Sequence, residues 1–265
     1  VTDGTRGYVF DNAAANERAR LDAVEGFLDP GSIRHLQMLG IAPGMRCLEV
    51  GAGGGSIARW IAEAVGPRGH VVATDVETRL LEPLASEVLE IRRHDVAVDP
   101  LEPHAYDLIH ARLVLEHVPG RSAALASLVS ALAPGGALLL EGVDYAAGIP
   151  IGTRGAQEHA HVQAVRLRAF SAAGHDPYGG RHLPRQLRDA GLVDVGNEGR
   201  VVVMEPGAPA TRWFALSLAH LRGRLTGPDL LSAEEIDAML GFFEDPDWAA
   251  LSPIIFAAWG RKAPG

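Results

Sequence analysis

Leu48-Glu49-Val50-Gly51-Ala52-Gly53-Gly54-Gly55-Ser56 is the stretch whose reading decides the fold of this chain. The apolar run Cys47 to Val50 reads as a strand, the glycines as a turn, and Ile57 to Val65 as an amphipathic helix. Glycines at such a junction permit positive φ and let a ligand touch the backbone, while the helix start presents unpaired N–H groups. Spacing narrows the ligand. Gly51, Gly53 and Gly55 give G-x-G-x-G, whereas a dinucleotide fingerprint needs its third glycine three places after the second, where Ser56 stands. Glu49, at the strand end, would repel a pyrophosphate and suits a cationic amino group, so the ligand is expected to carry an ammonium rather than a diphosphate.

Outward from this turn, strands and helices alternate. His70 to Thr74 is a second strand ending at Asp75, whose carboxylate can accept hydrogen bonds from ribose hydroxyls. Leu80 to Leu84 reads as a helix and Val88 to Arg93 as a weaker strand, followed by His94-Asp95-Val96. Asp95 there can meet an adenine amino group or close a turn on its own backbone. Tyr106 to His110 is a buried strand, Ala123 to Leu132 a helix stopped by Pro134-Gly135-Gly136, and Ala137 to Val143 a strongly apolar strand. Short connections between alternating elements predict a doubly wound α/β core, a parallel sheet with helices on both faces.

Before and after this core the pattern changes. Residues 12 to 39 read as helix interrupted at Pro30-Gly31. Thr153 to Ala173 is a helical insertion. Leu183 to Ala190 and Val193 to Met204 resume helix and strand, Thr211 to Leu225 and Ser232 to Phe243 add two helices, and Ser252 to Trp259 supplies a last strand. Ser232 with Glu235 forms a capping box. A single domain is expected over 1–265, with its core at about 36–146 and 181–262 and cap elements from 1–35, 147–180 and 208–248.

The 265 residues are 47% hydrophobic and 22% charged, an ordinary globular composition. No apolar run approaches the roughly 18 to 20 residues that span a bilayer, and no secretory signal is read at the start, so a cytoplasmic location without membrane attachment is expected. The lone Cys47 cannot form an internal disulfide and reads as a small core hydrophobe. A net charge of −9 with a single lysine argues against nucleic acid and for a small-molecule partner. Helical additions at both ends could cap the site or pair two subunits as a homodimer.

The chain resembles the class I S-adenosylmethionine-dependent methyltransferases of the small-molecule type. The resemblance runs over Glu49-Val50-Gly51-Ala52-Gly53-Gly54-Gly55, Asp75, Asp95, Tyr106-Asp107-Leu108-Ile109-His110-Ala111-Arg112 and Leu132-Ala133-Pro134-Gly135-Gly136, in that order between about Leu36 and Tyr145. It implies a Rossmann-like sheet of seven strands with the last antiparallel, and S-adenosyl-L-methionine as cofactor. It also implies positions for that cofactor. Gly51, Ala52 and Gly53, with Glu49, would meet its amino acid part, Asp75 and Val76 the ribose, and His94, Asp95 and Val96 the adenine. Ala111 and Arg112 would flank the methionine moiety, although Arg112 can equally be a surface arginine, and Tyr8 would close over the cofactor from the N-terminal segment.

Methyl transfer from a sulfonium is an in-line displacement in which positioning supplies much of the rate, and a base is needed only if the acceptor must lose a proton. His117, just past the fourth strand, is the preferred base, with a packing role as the alternative. Tyr145, Phe170, Tyr178 and Trp213 are expected to wall an acceptor pocket, unless they serve only as helix core. His159 and His161 point apart on a helix, and Asp144-Tyr145 stands where a metal-dependent relative would carry an acidic pair, so no metal is expected. The expected activity is methylation of a small aromatic or apolar metabolite, in natural-product synthesis. A nicotinamide-dependent oxidoreductase and a non-catalytic S-adenosylmethionine-binding protein are the alternatives.

Overall fold

A computed structural model describes residues 17–118 and 120–265, and every structural statement below concerns those residues. Ten strands run β1 (Arg46–Val50), β2 (His70–Asp75), β3 (Leu89–Arg93), β4 (Tyr106–Arg112), β5 (Leu132–Asp144), β6 (Ile149–Ile151), β7 (Val193–Arg200), β8 (Val203–Met204), β9 (Ala249–Leu251) and β10 (Ile254–Arg261). Seven form one sheet in the order β3-β2-β1-β4-β5-β10-β7. Pairing is parallel from β3 to β5, and β10 lies antiparallel between β5 and β7, so the last strand is antiparallel as expected.

The helices are α1 (Glu17–Met38), α2 (Ser56–Val65), α3 (Arg121–Ala131), α4 (Ala156–Ala172), α5 (Gly179–Asp189), α6 (Pro209–His220), α7 (Arg222–Leu225) and α8 (Ala233–Phe242). Alternation along the strands divides the sheet's two faces. Leu48, Val50, Ile109, Leu138 and Leu140 share a core with Leu125 and Leu128 of α3 and Leu183 and Leu187 of α5. Cys47, Leu108 and Leu139 share one with Leu36 of α1 and Ile57 and Ile61 of α2. A third core joins Val24 and Phe27 of α1 to α4, α6 and α8, and so builds the cap. The capping box at Ser232 and Glu235 is present.

Several boundaries differ from expectation for physical reasons. Pro30 does not interrupt α1, because buried side chains on both sides of it (Val24, Phe27 and Leu28, then Ser32, His35 and Leu36) anchor one face, and packing rather than local propensity sustains most protein helices. Leu80 to Leu84 holds only a single 3₁₀ turn at Glu82–Leu84. The run from Val193 to Met204 splits at Arg200, after which β8 leaves the main sheet and joins β6 and β9 in a small antiparallel sheet. These strands of two or three residues are too short to show periodicity. Thr211 to Leu225 likewise divides into α6 and α7. Among the described residues, no helix is long and apolar enough to cross a membrane.

Candidate active site

At the carboxyl ends of the parallel strands, where ligands of open α/β sheets bind, lies a cavity of about 940 Å³. One end is walled by Gly51 to Gly54, Asp75, Val76 and the segment Arg93 to Val98. Leu113, His117, Val118, Tyr145 and Trp213 line the cavity as well, with Arg20, Leu21, Val24 and Glu25 of α1, and Val114 lies against Gly51. The sequence had given no sign of these α1 residues as site residues. Their spacing was the available signal, since Arg20 and Val24 lie four apart on the face that also carries Phe27 and Leu28.

At the glycine end the backbone itself is the surface. Gly51 has φ +65, and a Cβ there would overlap Cγ2 of Val114, so only glycine keeps this wall open. Asp75 Oδ2 accepts from Gly53 N at 2.9 Å and Oδ1 from Glu77 N at 3.1 Å, tying the loop to the end of β2. Burial raises the Asp75 carboxyl above its usual range against the pull of these N–H donors. His94 is buried with neither ring nitrogen partnered, and Asp95 Oδ1 accepts from Ala97 N at 2.9 Å while the residue lines the cavity. Asp95 therefore closes a turn and faces the site at once. Leu113 holds φ +58, a rare conformation for a non-glycine residue, pinned by its N–H to the Glu141 carbonyl at 2.8 Å.

Glu49 requires a correction. Its carboxylate does not line the cavity but accepts from His110 Nδ1 at 2.6 Å, and His110 Nε2 lies 3.2 Å from Glu141 Oε2. The register explains this, because Glu49 pairs with His110 across β1 and β4 and both side chains point to the face covered by α1. Burial alone would strip the His110 proton, yet the two carboxylates hold it, raising the imidazole to about 9 and driving Glu141 well below the ordinary carboxylate range. Ser32 donates to Glu141 and accepts from Arg112, which also pairs with Asp29 at 2.9 Å. Arg112 thus lines the cavity while clamping α1 to the sheet, and is not a loose surface arginine. The carboxylate that does reach the glycines is Glu25, whose Oε1 is buried without a partner where a Cβ on Gly54 would overlap it. Burial raises its carboxyl too.

The acceptor end holds some of the expected residues and not others. His117 lines the cavity with Nδ1 3.4 Å from His175 Nδ1, and burial, followed by the charges of His175 and Arg20, pushes it down to about 3. It is a neutral imidazole with little basicity. Tyr145 and Trp213 line the cavity, and Phe170 stands behind Tyr145, edge-to-face at 5.5 Å between centroids. Ala111, paired with Val50 across β1 and β4, is buried in the core and does not line the cavity, and Tyr178 lies outside, 36% exposed, with Arg181 over its ring. Tyr8 falls outside the described residues. His159 is buried against Trp248 whereas His161 is exposed beside Glu235, and among the described residues no group of three or more candidate ligands could hold a metal ion.

Comparison with known proteins agrees with the fold. A methyltransferase-domain family model matches residues 27–197. Methyltransferase str2 of Strobilurus tenacellus is 30% identical over 260 residues, covering 93% of this chain and 94% of that protein. The ubiquinone/menaquinone biosynthesis C-methyltransferase UbiE of Ectopseudomonas mendocina is 29% identical over 141 residues, 50% of this chain and 55% of its own. In fold, the chain is similar to Haemonchus contortus phosphoethanolamine N-methyltransferase 2 in complex with S-adenosyl-L-methionine. The TM-score is 0.59 at 16% identity, covering 100% of this chain and 62% of that one.

Proposed function

The chain belongs to the class I S-adenosylmethionine-dependent methyltransferases, and we propose that it methylates a small aromatic or otherwise apolar metabolite in the synthesis of a specialised product. One observation carries the proposal: a single cavity of about 940 Å³ joins the glycine loop to a wall that includes Leu113, Val118, Tyr145 and Trp213. That volume lies near the top of the range for small-molecule sites, roughly 300 to 1,000 Å³, which suits two ligands side by side. UbiE, by its name, methylates carbon in ubiquinone and menaquinone biosynthesis, which supports a metabolite as acceptor.

The residues present fit the cofactor. Gly51 to Gly53 offer bare backbone, Asp75 offers a carboxylate to ribose hydroxyls, and His94 and Asp95 line the cavity beside them. Glu25 takes the part first expected of Glu49, a negative group for the amino end. S-adenosylmethionine supplies a methyl group on a sulfonium, already joined to its leaving group. The protein's share is to bind, align and exclude water. His117, held near pKa 3, is a poor proton acceptor at neutral pH and serves as a hydrogen-bonding wall, so an acceptor that arrives with a free lone pair suits the site best.

Calorimetric titration with S-adenosylmethionine and, separately, reduced nicotinamide cofactors tests the cofactor end, followed by an acceptor screen for the mass gain of one methyl group. Saturable binding of the methyl donor alone is expected. Gly54→Ala should displace only the flexible end of Glu25, leaving the melting temperature near wild type while weakening S-adenosylmethionine binding about tenfold. Unchanged affinity would remove Glu25 from the site, and no binding by wild type would overturn the proposal.

A further inference from the structure

We propose that the cap contains a subsite for a carboxylate of the acceptor, with Arg166 as its cation; the inference rests on the aromatic-acceptor reading above and narrows it to aromatic acids. Arg166, on α4, is 5% exposed, and its Nε and Nη2 have no hydrogen-bond partner. The chain carries 33 acidic residues against 24 Lys and Arg, yet among the described residues no carboxylate pairs with this arginine. Unpaired buried charge is unfavourable, and a protein retains it where something outside the chain completes it.

The surroundings say what that something is. The Arg166 guanidinium lies over the rings of Tyr145 and Phe214, at 4.9 and 5.0 Å from their centroids. Those faces stabilise the cation but leave the in-plane N–H groups without acceptors. Burial lowers the guanidinium only to about 10, so it stays charged at neutral pH. On α6, next to Phe214, Trp213 Nε1 and Ser217 Oγ are also buried and unpartnered. The unmet groups here are all capable donors, and the one charge is positive. Their complement is an anionic oxygen pair, which a planar guanidinium meets edge to edge.

The position is right for an acceptor. Tyr145 and Trp213 both line the cavity while Arg166 does not, standing one ring behind that wall, so an acid group meets the guanidinium only as the Tyr145 ring turns aside. An acid group drawn there would leave the rest of the molecule extending toward the cofactor end. His159, two turns earlier on α4, is pushed down to about 4 by burial and the Arg166 charge, so the subsite carries one positive charge and not two.

Calorimetric titration of the protein loaded with S-adenosylhomocysteine, using aromatic acids and their primary amides in pairs (benzoate, cinnamate and indole-3-acetate), reads the subsite directly. At least one acid should bind roughly ten- to a hundredfold tighter than its amide. That preference should vanish in Arg166→Met, or in Arg166→Gln should the methionine variant fail to fold, and should largely persist in Arg166→Lys. Equal binding of acid and amide by wild type, or a preference that survives in the uncharged Arg166→Met or Arg166→Gln variant, would overturn the subsite while leaving the aromatic-acceptor reading intact. Failure of every acid and every amide to bind would overturn that reading and the subsite with it.

Discussion

Beneath the glycine loop, His110 sits fully buried between Glu49 at 2.6 Å and Glu141 at 3.2 Å, and Ser32 and Arg112 extend the bonding to Asp29. In the cap, Arg166 is buried almost as deeply and has aromatic faces but no acceptor. The two regions lie on either side of one cavity. Charge that the chain neutralises from its own residues is framework: it fixes α1 on the sheet and holds the floor of the site. Charge left open one ring behind the cavity wall is, on the proposal above, recognition surface, because its missing partner must come from outside. The contrast separates two kinds of buried ionisable residue that look alike in sequence.

His110→Phe should break the framework side with the largest effect. The ring volume is kept, but both donors are lost and two buried carboxylates face each other, which should cost about 3–5 kcal/mol in urea unfolding. Arg166→Met, by the same logic, removes an uncompensated charge and should leave the unliganded protein within about 1 kcal/mol of wild type or more stable. If the two variants lost similar stability, Arg166 would be framework as well, and the contrast would fail.

A pH series sharpens the same point. The His110 imidazole is raised from 6.5 to about 9 in the folded protein, so its stabilisation is complete below about 6.5 and is lost as pH rises through 9. Glu116, raised to about 8 by burial and then by Asp176, acts in the same direction. Unfolding free energy should therefore fall by roughly 5 kcal/mol between pH 6.5 and 9.5, about 3 kcal/mol of it from His110. His110→Phe should flatten most of that decline. A decline that persists unchanged in the variant would mean the carboxylates do not hold the imidazole charged.

The framework was only half legible in sequence. Glycine spacing, Asp75 and the alternation of elements gave the sheet and the cofactor end, because strand-end loops are local and their chemistry is written in consecutive residues. Glu49 places a carboxylate near the glycines in sequence, but its direction depends on a residue 61 positions away, His110 on β4. Period-2 alternation makes a one-position difference decide between core and cavity, and only the register with β4 resolves it. Glu25 and Arg166 were missed for a related reason. On a helix, an arginine or glutamate among alanines reads as solvated surface. Whether it is buried depends on which helix covers it, here α1 against the loop and α4 against α6.

The smallest expected effect marks the outer edge of the open region. Tyr178, Phe170 and Trp213 are all aromatic residues in elements added to the core, and helical spacing does not say which side of a cap faces inward. Trp213 lines the cavity and Phe170 braces Tyr145 from behind, whereas Tyr178 is 36% exposed at the start of α5. Its ring rests under the Arg181 guanidinium, at 5.1 Å from the centroid, and Arg181 in turn pairs with Asp144. An exposed cation–aromatic contact is worth about 0.5–1 kcal/mol, and the Arg181–Asp144 pair survives its loss. Tyr178→Ala should accordingly shift unfolding free energy by less than about 1 kcal/mol and leave aromatic-acid affinity within about twofold of wild type. A loss of tenfold or more in that affinity would carry the acceptor site past Tyr145 to α5, and the unpaired charge of Arg166 would then border the middle of the site and not its end.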